Sequence, residues 1–156
     1  MMGLLFLDYE QAKVRYCNAQ KLYNSILNEQ EELITEYLPR AVRYDQEKVS
    51  GGAIGDAFSS YLIRKERLKI DERLEEVEGL LDARARQFQR RIDDLKQSNE
   101  IMDKIFFRRN VLRIKVSAIA EELNYSESQI YRYLYTIDEI LHQARLEGRL
   151  DYEIRQ

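Results

Sequence analysis

Apolar residues in the first part of the chain recur at alternating spacings of four and three residues. This series consists of Ala12, Tyr16, Ala19, Tyr23, Ile26, Leu33 and Tyr37, with Gln30 in register. Such a heptad series places one face of a helix against a partner helix. Asp8 and Gln11 form a helix-start signal, and Pro39 ends the helix at Leu38 or just before it. The pattern predicts a first helix over residues 8–38.

A second heptad series predicts another long helix. Its members recur every seven positions and are Leu74, Leu81, Phe88, Leu95 and Met102. Asp56 suits a helix N-cap, so we expect this helix to run from about residue 56 to about residue 100, which is too long for burial in a small globule. Residues 39–55 hold the single proline and predict a surface loop. The two helices are expected to pack as a long antiparallel, coiled-coil-like hairpin, or against another chain.

The stretch from Lys115 to Leu141 has the spacing of two short helices joined by a tight turn. Asn124 falls where such a turn needs a left-handed residue, a conformation that asparagine tolerates. Ser126 and Gln129 form a capping box for the second helix, and Ser117 is expected to cap the first. These signals predict a helix-turn-helix, the unit that docks in a DNA major groove. Its apolar positions are Ile119, Ala120, Leu123, Tyr125, Ile130, Tyr133, Leu134 and Ile137.

The second helix of this unit has a polar face opposite its apolar one. The candidate DNA-binding residues on and beside that face are Ser128, Gln129, Tyr131, Arg132 and Tyr135. Arg132 can contact guanine through two hydrogen bonds, and Gln129 can contact adenine in the same way. The hydroxyl groups of the serine and the tyrosines suit phosphate or thymine contacts. The alternative interpretation is the solvated face of an ordinary helical pair.

The segment Lys104–Lys115 is strongly basic, with five cations and no acidic residue. Its candidate phosphate-binding residues are Arg108, Arg109, Arg113 and Lys115. Phosphate contacts of this kind dominate the affinity of proteins for DNA. The alternative is a basic helix end whose charge favours the negative end of the helix dipole.

From Ile101 to Leu141 the chain resembles region 4 of bacterial sigma factors, and still more the small phage regulators of the ArpU and RinA kind. The matching residues are FFRRNVL (106–112) and SAIAEELNYSESQIYRYL (117–134), and the loop YDQEKVSGG (44–52) also fits. This resemblance implies a transcriptional activator of phage or prophage genes that contacts DNA and RNA polymerase. The chain departs from this family in two respects. A glycine usually separates the preceding helix from the helix-turn-helix in these regulators, but residues Asn110–Val116 contain none, and Arg132 is the only cation of the second helix.

Composition narrows the class of function. The net charge is −3, so any surface for nucleic acid must be local. Cys17 and His142 are the only residues of their kinds, which leaves no disulfide and no zinc set and favours a reducing compartment. No run approaches the roughly 18 apolar residues of a membrane span, so we expect a cytoplasmic protein without a membrane partner. No catalytic or cofactor motif is visible, and no enzyme activity is predicted.

The predicted fold is all-α, with three parts. Residues 1–103 form the long helical hairpin with loop 39–55, residues 104–142 form the helix-turn-helix, and residues 143–156 form a helical tail. The predicted function is transcriptional regulation, with double-stranded DNA and RNA polymerase as partners and a homodimer formed through the long helices. Two alternatives stay open. One is the small subunit of a phage terminase, which packages DNA, although such subunits usually carry the DNA module first. The other is an adaptor that docks on polymerase without binding DNA.

Overall fold

A computed structural model of the chain describes residues 4–38 and 52–154, and these residues are predominantly helical. The described residues contain no β-strand, so the all-α prediction is confirmed. No helix in this part of the chain combines the length and the apolar character needed to cross a membrane. A π-helical turn, Phe107–Val111, lies between the fourth and fifth helices. The α-helices are α1 (Leu5–Tyr37), α2 (Gly52–Arg67), α3 (Ile70–Gln97), α4 (Ile101–Phe106), α5 (Val116–Leu123) and α6 (Glu127–Leu146).

Helix α1 begins at Leu5, earlier than the predicted start at Asp8. Phe6, in its first turn, is fully buried, whereas Asp8 is exposed. The backbone N–H of Phe6 donates a hydrogen bond to the buried carboxylate of Asp103 at 3.1 Å. This bond satisfies one of the N–H groups that the start of a helix leaves without a partner. The predicted cap at Asp8 is therefore wrong, because a residue that is distant in sequence supplies the cap.

The contacts divide the chain into two compact units, of which the first comprises Met1–Asn18 and Ala83–Gln156. Its core joins the first turns of α1 to the end of α3 and to α4, α5 and α6. The ring of Phe6 stacks on that of Phe106, and the ring of Tyr9 meets Phe106 edge-on, with ring centres 5.4 Å apart in both pairs. Burial raises the pKa of the Tyr9 phenol. The largest fully buried apolar side chains of this core are Phe6, Leu95, Ile105, Phe106, Ile119, Ile130 and Ile137.

The second unit, Ala19–Asp82, has a core of its own. Within it the Tyr23 hydroxyl donates to Glu78 at 3.3 Å, and Arg73 forms an ion pair with Glu29 at 2.9 Å. Residues later in α1 thus lie beside residues earlier in α3, so the two segments run antiparallel within this unit. The buried side chains of this core are Ile26, Leu33, Tyr61, Ile70 and Val77.

The predicted helix over 56–100 is divided in the structure. Helix α2 ends at Arg67 and α3 begins at Ile70, and between them Lys69 has a left-handed φ of 52° that interrupts the helix. The guanidinium of Arg73 donates to the carbonyl of Leu68 at 3.3 Å, which satisfies a group that the break releases. Helix α2 begins at Gly52 rather than at Asp56, so the end of the predicted loop is helical. The rest of that loop, residues 39–51, lies outside the described residues.

The segment after α6 also differs from the prediction of a helical tail over residues 143–156. Helix α6 ends at Leu146, and Gly148 has a φ of 73°, a left-handed conformation that glycine adopts readily. Residues 151–154 have no regular secondary structure. Leu150 is nevertheless buried, so this segment is part of the core of the first unit.

Candidate nucleic-acid interface

Helices α5 and α6 are joined by a short turn whose geometry follows from Asn124. Asn124 ends α5 with φ 60° and ψ 41°, the left-handed conformation predicted for it. The N–H of the next residue, Tyr125, donates back to the carbonyl of Ala120 at 3.0 Å. Ala120 itself is buried and small, so α5 can lie close to α6. The left-handed turn therefore ends α5 and leads the chain directly into the start of α6.

The start of α6 is fixed by a reciprocal capping box. The hydroxyl oxygen of Ser126 accepts from the N–H of Gln129 at 3.2 Å, and the side-chain carbonyl of Gln129 accepts from the N–H of Ser126 at 2.9 Å. This prediction is confirmed. The predicted cap of α5 by Ser117 is wrong, because Lys115 is the N-cap residue and no side chain caps that helix. Ser117 lies inside the first turn, where its hydroxyl cannot act as the N-cap.

The predicted apolar face of α6 is its core face. Ile130, Ile137 and Leu141 are buried, and Ala144 continues the same face. The rings of Tyr125 and Tyr133 pack edge to face with centres 5.9 Å apart, which attaches the turn to the helix. Helix α6 is thus held along one side, and its opposite side has a fixed orientation relative to the core.

The opposite side of α6 carries the candidate base-contacting residues. Tyr131 and Tyr135 are 58% and 67% exposed, and Ser128 and Arg132 are exposed beside them. Two exposed tyrosines one helical turn apart make a large aromatic surface that the core does not use. Gln129 is exposed as well, but its carbonyl oxygen is engaged in the cap. A two-bond contact with adenine needs that oxygen as well as the amide nitrogen, so it would require the cap to open.

Among the predicted phosphate-binding residues, Arg108 differs from the other three. Its guanidinium forms an ion pair with Glu122 at 3.0 Å and donates to the carbonyl of Lys104 at 3.1 Å. The side chain is only 21% exposed, and its Nε is buried without a hydrogen-bond partner. Arg108 therefore connects α4 and the π-helical turn to α5, and Glu122 neutralises the charge that a phosphate would meet.

Arg109, Arg113 and Lys115 are exposed around the start of α5. Arg109 donates to the carbonyl of Ile114 at 3.2 Å, which holds its guanidinium near the loop. Within the described residues none of the three forms an ion pair with a carboxylate. Lys115 is the N-cap residue of α5, where a cation lies at the positive end of the helix dipole. An anion at this place would relieve that repulsion.

Arg113 adopts a left-handed conformation, with φ 59°. A residue with a Cβ pays about 1–2 kcal/mol for this conformation, which glycine adopts without penalty. Arg113 thus occupies a backbone position that would suit glycine better. Its charge also acts on Tyr9, where it opposes the stronger effect of burial on the pKa of that phenol.

Two features of this region were missed from the sequence. The π-helical turn is marked by the bond from the Leu112 N–H to the Phe107 carbonyl at 3.0 Å, and the FRRNV run has no signal for it. Asp103 is fully buried although the next residue in the sequence is the cation Lys104, and the segment IMDKIF (101–106) carries no signal for that burial. Among the described residues, no group of three or more His, Cys, Asp or Glu side chains could hold a metal ion.

Comparison of the chain with family models, with curated proteins and with solved structures gave no match in any of the three.

Proposed function

We propose that the chain is a DNA-binding transcriptional regulator, an activator of phage or prophage genes, that recognises DNA with residues 126–141 and also contacts RNA polymerase. The observation that carries this proposal is the two-sided character of α6. Ile130 and Ile137 anchor one side in the core, while Tyr131, Arg132 and Tyr135 project from the other. A helix held in this way after a tight turn has the form that enters a major groove.

Base recognition is assigned mainly to Arg132. It lies early in α6, where recognition helices contact base edges, and its guanidinium can donate two hydrogen bonds to guanine. Ser128 and the hydroxyl groups of Tyr131 and Tyr135 supply contacts with phosphate or thymine. Gln129 contributes its amide nitrogen while its carbonyl remains in the cap.

Phosphate contacts are assigned to Arg109, Arg113 and Lys115. All three are exposed and form no ion pair with a carboxylate in the described part of the chain. They surround the start of α5, whose N-terminal N–H groups favour an anion. Salt-dependent affinity for DNA of any sequence is expected from these residues. Arg108 is assigned to the fold instead, because Glu122 holds its guanidinium.

The long helices are assigned to protein contacts. In this proposal α1 and α3 form an antiparallel hairpin that dimerises or binds polymerase. The contacts of Tyr23 with Glu78 and of Glu29 with Arg73 support the pairing of these helices in the second unit. Within that unit, Phe58, Leu62 and Ile63 of α2 are exposed apolar side chains, as expected of a surface that meets another protein.

An adaptor that docks on polymerase without binding DNA is the second candidate. It is favoured by Asp138 and Glu139, which are exposed on α6 after the two tyrosines and would repel a DNA backbone. Exposed tyrosines are also common in interfaces between proteins.

Selection of bound fragments from a pool of random duplexes tests the two candidates. The full chain is used alone and together with RNA polymerase, and the enriched fragments are sequenced. A regulator of the proposed kind enriches one sequence motif, with or without polymerase. An adaptor enriches no motif beyond the one that polymerase enriches when the chain is absent, and that outcome would refute the DNA-binding proposal.

A further inference from the structure

The segment Arg149–Ile154, termed the strap, lies along the first half of α1. It follows the turn at Gly148, where the Arg149 N–H donates to the carbonyl of Ala144 at 2.8 Å. Leu150 is the anchor of the strap, being 4% exposed within the core of the first unit. The strap therefore meets α1 as a separate extended peptide would, with one apolar side chain inserted and the backbone on the surface.

The backbone of the strap is held by two side-chain amides of α1. The carbonyl oxygen of Gln11 accepts from the Asp151 N–H at 2.8 Å. Asn18 makes two bonds, because its Nδ2 donates to the Tyr152 carbonyl at 3.1 Å and its Oδ1 accepts from the Ile154 N–H at 2.9 Å. An amide that binds a carbonyl and an N–H two residues apart acts as an adjacent β-strand would. Such bonds select an extended backbone and leave the side chains free to vary.

Two further contacts give the α1 surface a chemical preference. Arg15 lies between Gln11 and Asn18 at helical spacing, and its Nε contacts the Asp151 carboxylate at 3.1 Å. Leu150 directly precedes that acid in the sequence, and its side chain is buried in the core of the first unit, to which the first turns of α1 contribute. The surface formed by Gln11, Arg15 and Asn18 thus accepts an extended peptide in which an apolar residue is followed by an acidic one.

The strap is held by contacts that can exchange. Its hydrogen bonds with α1 are exposed, and the side chains of Arg15 and Asp151 are 38% and 51% exposed, so their ion pair is weak in water. Gly148 precedes the strap and can change its backbone angles without steric penalty. Because the strap is covalently attached, its effective concentration at α1 is high, and the peptide of a partner must compete with it for the site.

We infer that the Gln11–Arg15–Asn18 surface is a docking site for an extended peptide of a partner protein that carries an apolar residue followed by Asp or Glu. The strap of the chain occupies this site and is displaced when the partner binds. The site lies on α1 and does not depend on the proposed recognition of DNA.

A fluorescent peptide with the sequence of the strap, RLDYEI, serves as the probe, and binding to the full chain is followed by anisotropy. Leu150→Asp removes the anchor and releases the strap, so it should raise affinity for the probe about tenfold or more over wild type. Leu112→Asp is the matched control, because Leu112 is 52% exposed and lies outside the strap, and its affinity should equal that of wild type. Adding Asn18→Ala to the released variant removes two hydrogen bonds and should lower affinity about tenfold.

Peptides with the leucine or the aspartate replaced by lysine should bind the released variant at least about tenfold more weakly. Equal binding of all three peptides, or equal binding with and without Asn18→Ala, would overturn the inference. Hydrogen exchange in the wild-type chain gives a second test, whose result does not depend on whether the variants fold. Saturating unlabelled probe should speed deuterium uptake at Asp151 and Ile154, whose N–H groups α1 protects. Unchanged uptake at these positions would equally overturn it.

Discussion

The carboxylate of Asp103 accepts a hydrogen bond from the backbone N–H of Phe6, and the two residues are separated by 97 positions of the chain. Both are fully buried. The other carboxylate oxygen accepts from the hydroxyl of Ser98 at 2.8 Å, and that hydroxyl oxygen accepts from the Glu100 N–H at 3.2 Å. A negative charge at the first turn of α1 also suits the helix dipole. The start of α1 is thus fixed by α4 and by the residues that precede α4.

Replacement of Asp103 should destabilise the chain far more than replacement of Asp8. Asp103→Ala leaves the Phe6 N–H buried without a partner, so the free energy of unfolding should fall by about 1–3 kcal/mol. Asp8→Ala is the matched control, because Asp8 is exposed, and its effect should stay within about 0.5 kcal/mol. Urea denaturation followed by circular dichroism measures both. Equal losses in the two variants would show that the sequence-based cap at Asp8 operates after all.

Features that depend on neighbouring residues could be predicted from the sequence. The left-handed Asn124 and the capping box of Ser126 and Gln129 are of this kind, because both ends of each interaction lie within a few residues. The heptad positions Ile26 and Leu33 were also predicted to face a core, and they are buried. Periodicity reports the buried side of a helix without knowledge of its partner.

Features that depend on distant contacts could not be predicted. The start of α1 depends on Asp103, and the break at Lys69 is accompanied by the bonds from Arg73 to Leu68 and to Glu29. The same limit applies to the candidate site. Arg108 and Arg109 are adjacent and chemically identical in the sequence, yet only Arg108 has Glu122 as its partner. Exposure of the α6 face followed from periodicity, whereas the ion pairs of single cations did not.

Asn124 offers a test of the turn between α5 and α6. Asn124→Gly should leave stability unchanged or raise it slightly, since glycine adopts the left-handed conformation freely. Asn124→Ala should lower the free energy of unfolding by about 1 kcal/mol, because alanine lacks the amide and its Cβ opposes this conformation. Thermal and urea denaturation of both variants provide the measurement. If alanine were as stable as glycine here, the left-handed turn would have to be absent in solution.

Arg108 and Arg109 should separate folding from DNA binding. Arg108→Ala removes the ion pair with Glu122 and should lower the free energy of unfolding by about 1 kcal/mol. Arg109→Ala should leave stability within about 0.5 kcal/mol of wild type. Arg109→Ala should instead weaken binding to all duplexes. It should also reduce the slope of log affinity against log salt concentration by about 1, as the loss of a phosphate contact does. The measurements are denaturation and a salt series with one duplex. A stability loss confined to Arg109→Ala would reverse these assignments.

Arg132 should carry sequence discrimination. It is exposed near the start of α6, on the side opposite the buried Ile130 and Ile137, and its guanidinium can reach a guanine edge in a major groove. Arg132→Ala should therefore remove about 1–3 kcal/mol of preference for a selected site over a scrambled one, roughly tenfold or more in affinity ratio. The free energy of unfolding should not change.

Lys96→Ala provides the charge-matched control for that experiment, because Lys96 is exposed at the end of α3 and its loss changes the net charge equally. Its affinity ratio should equal that of wild type. Binding of the three proteins to both duplexes is measured by anisotropy at several salt concentrations. If Arg132→Ala keeps the wild-type ratio, α6 does not recognise bases through this residue. Its exposed tyrosines and the acids Asp138 and Glu139 would then favour docking on a protein, which is the adaptor function.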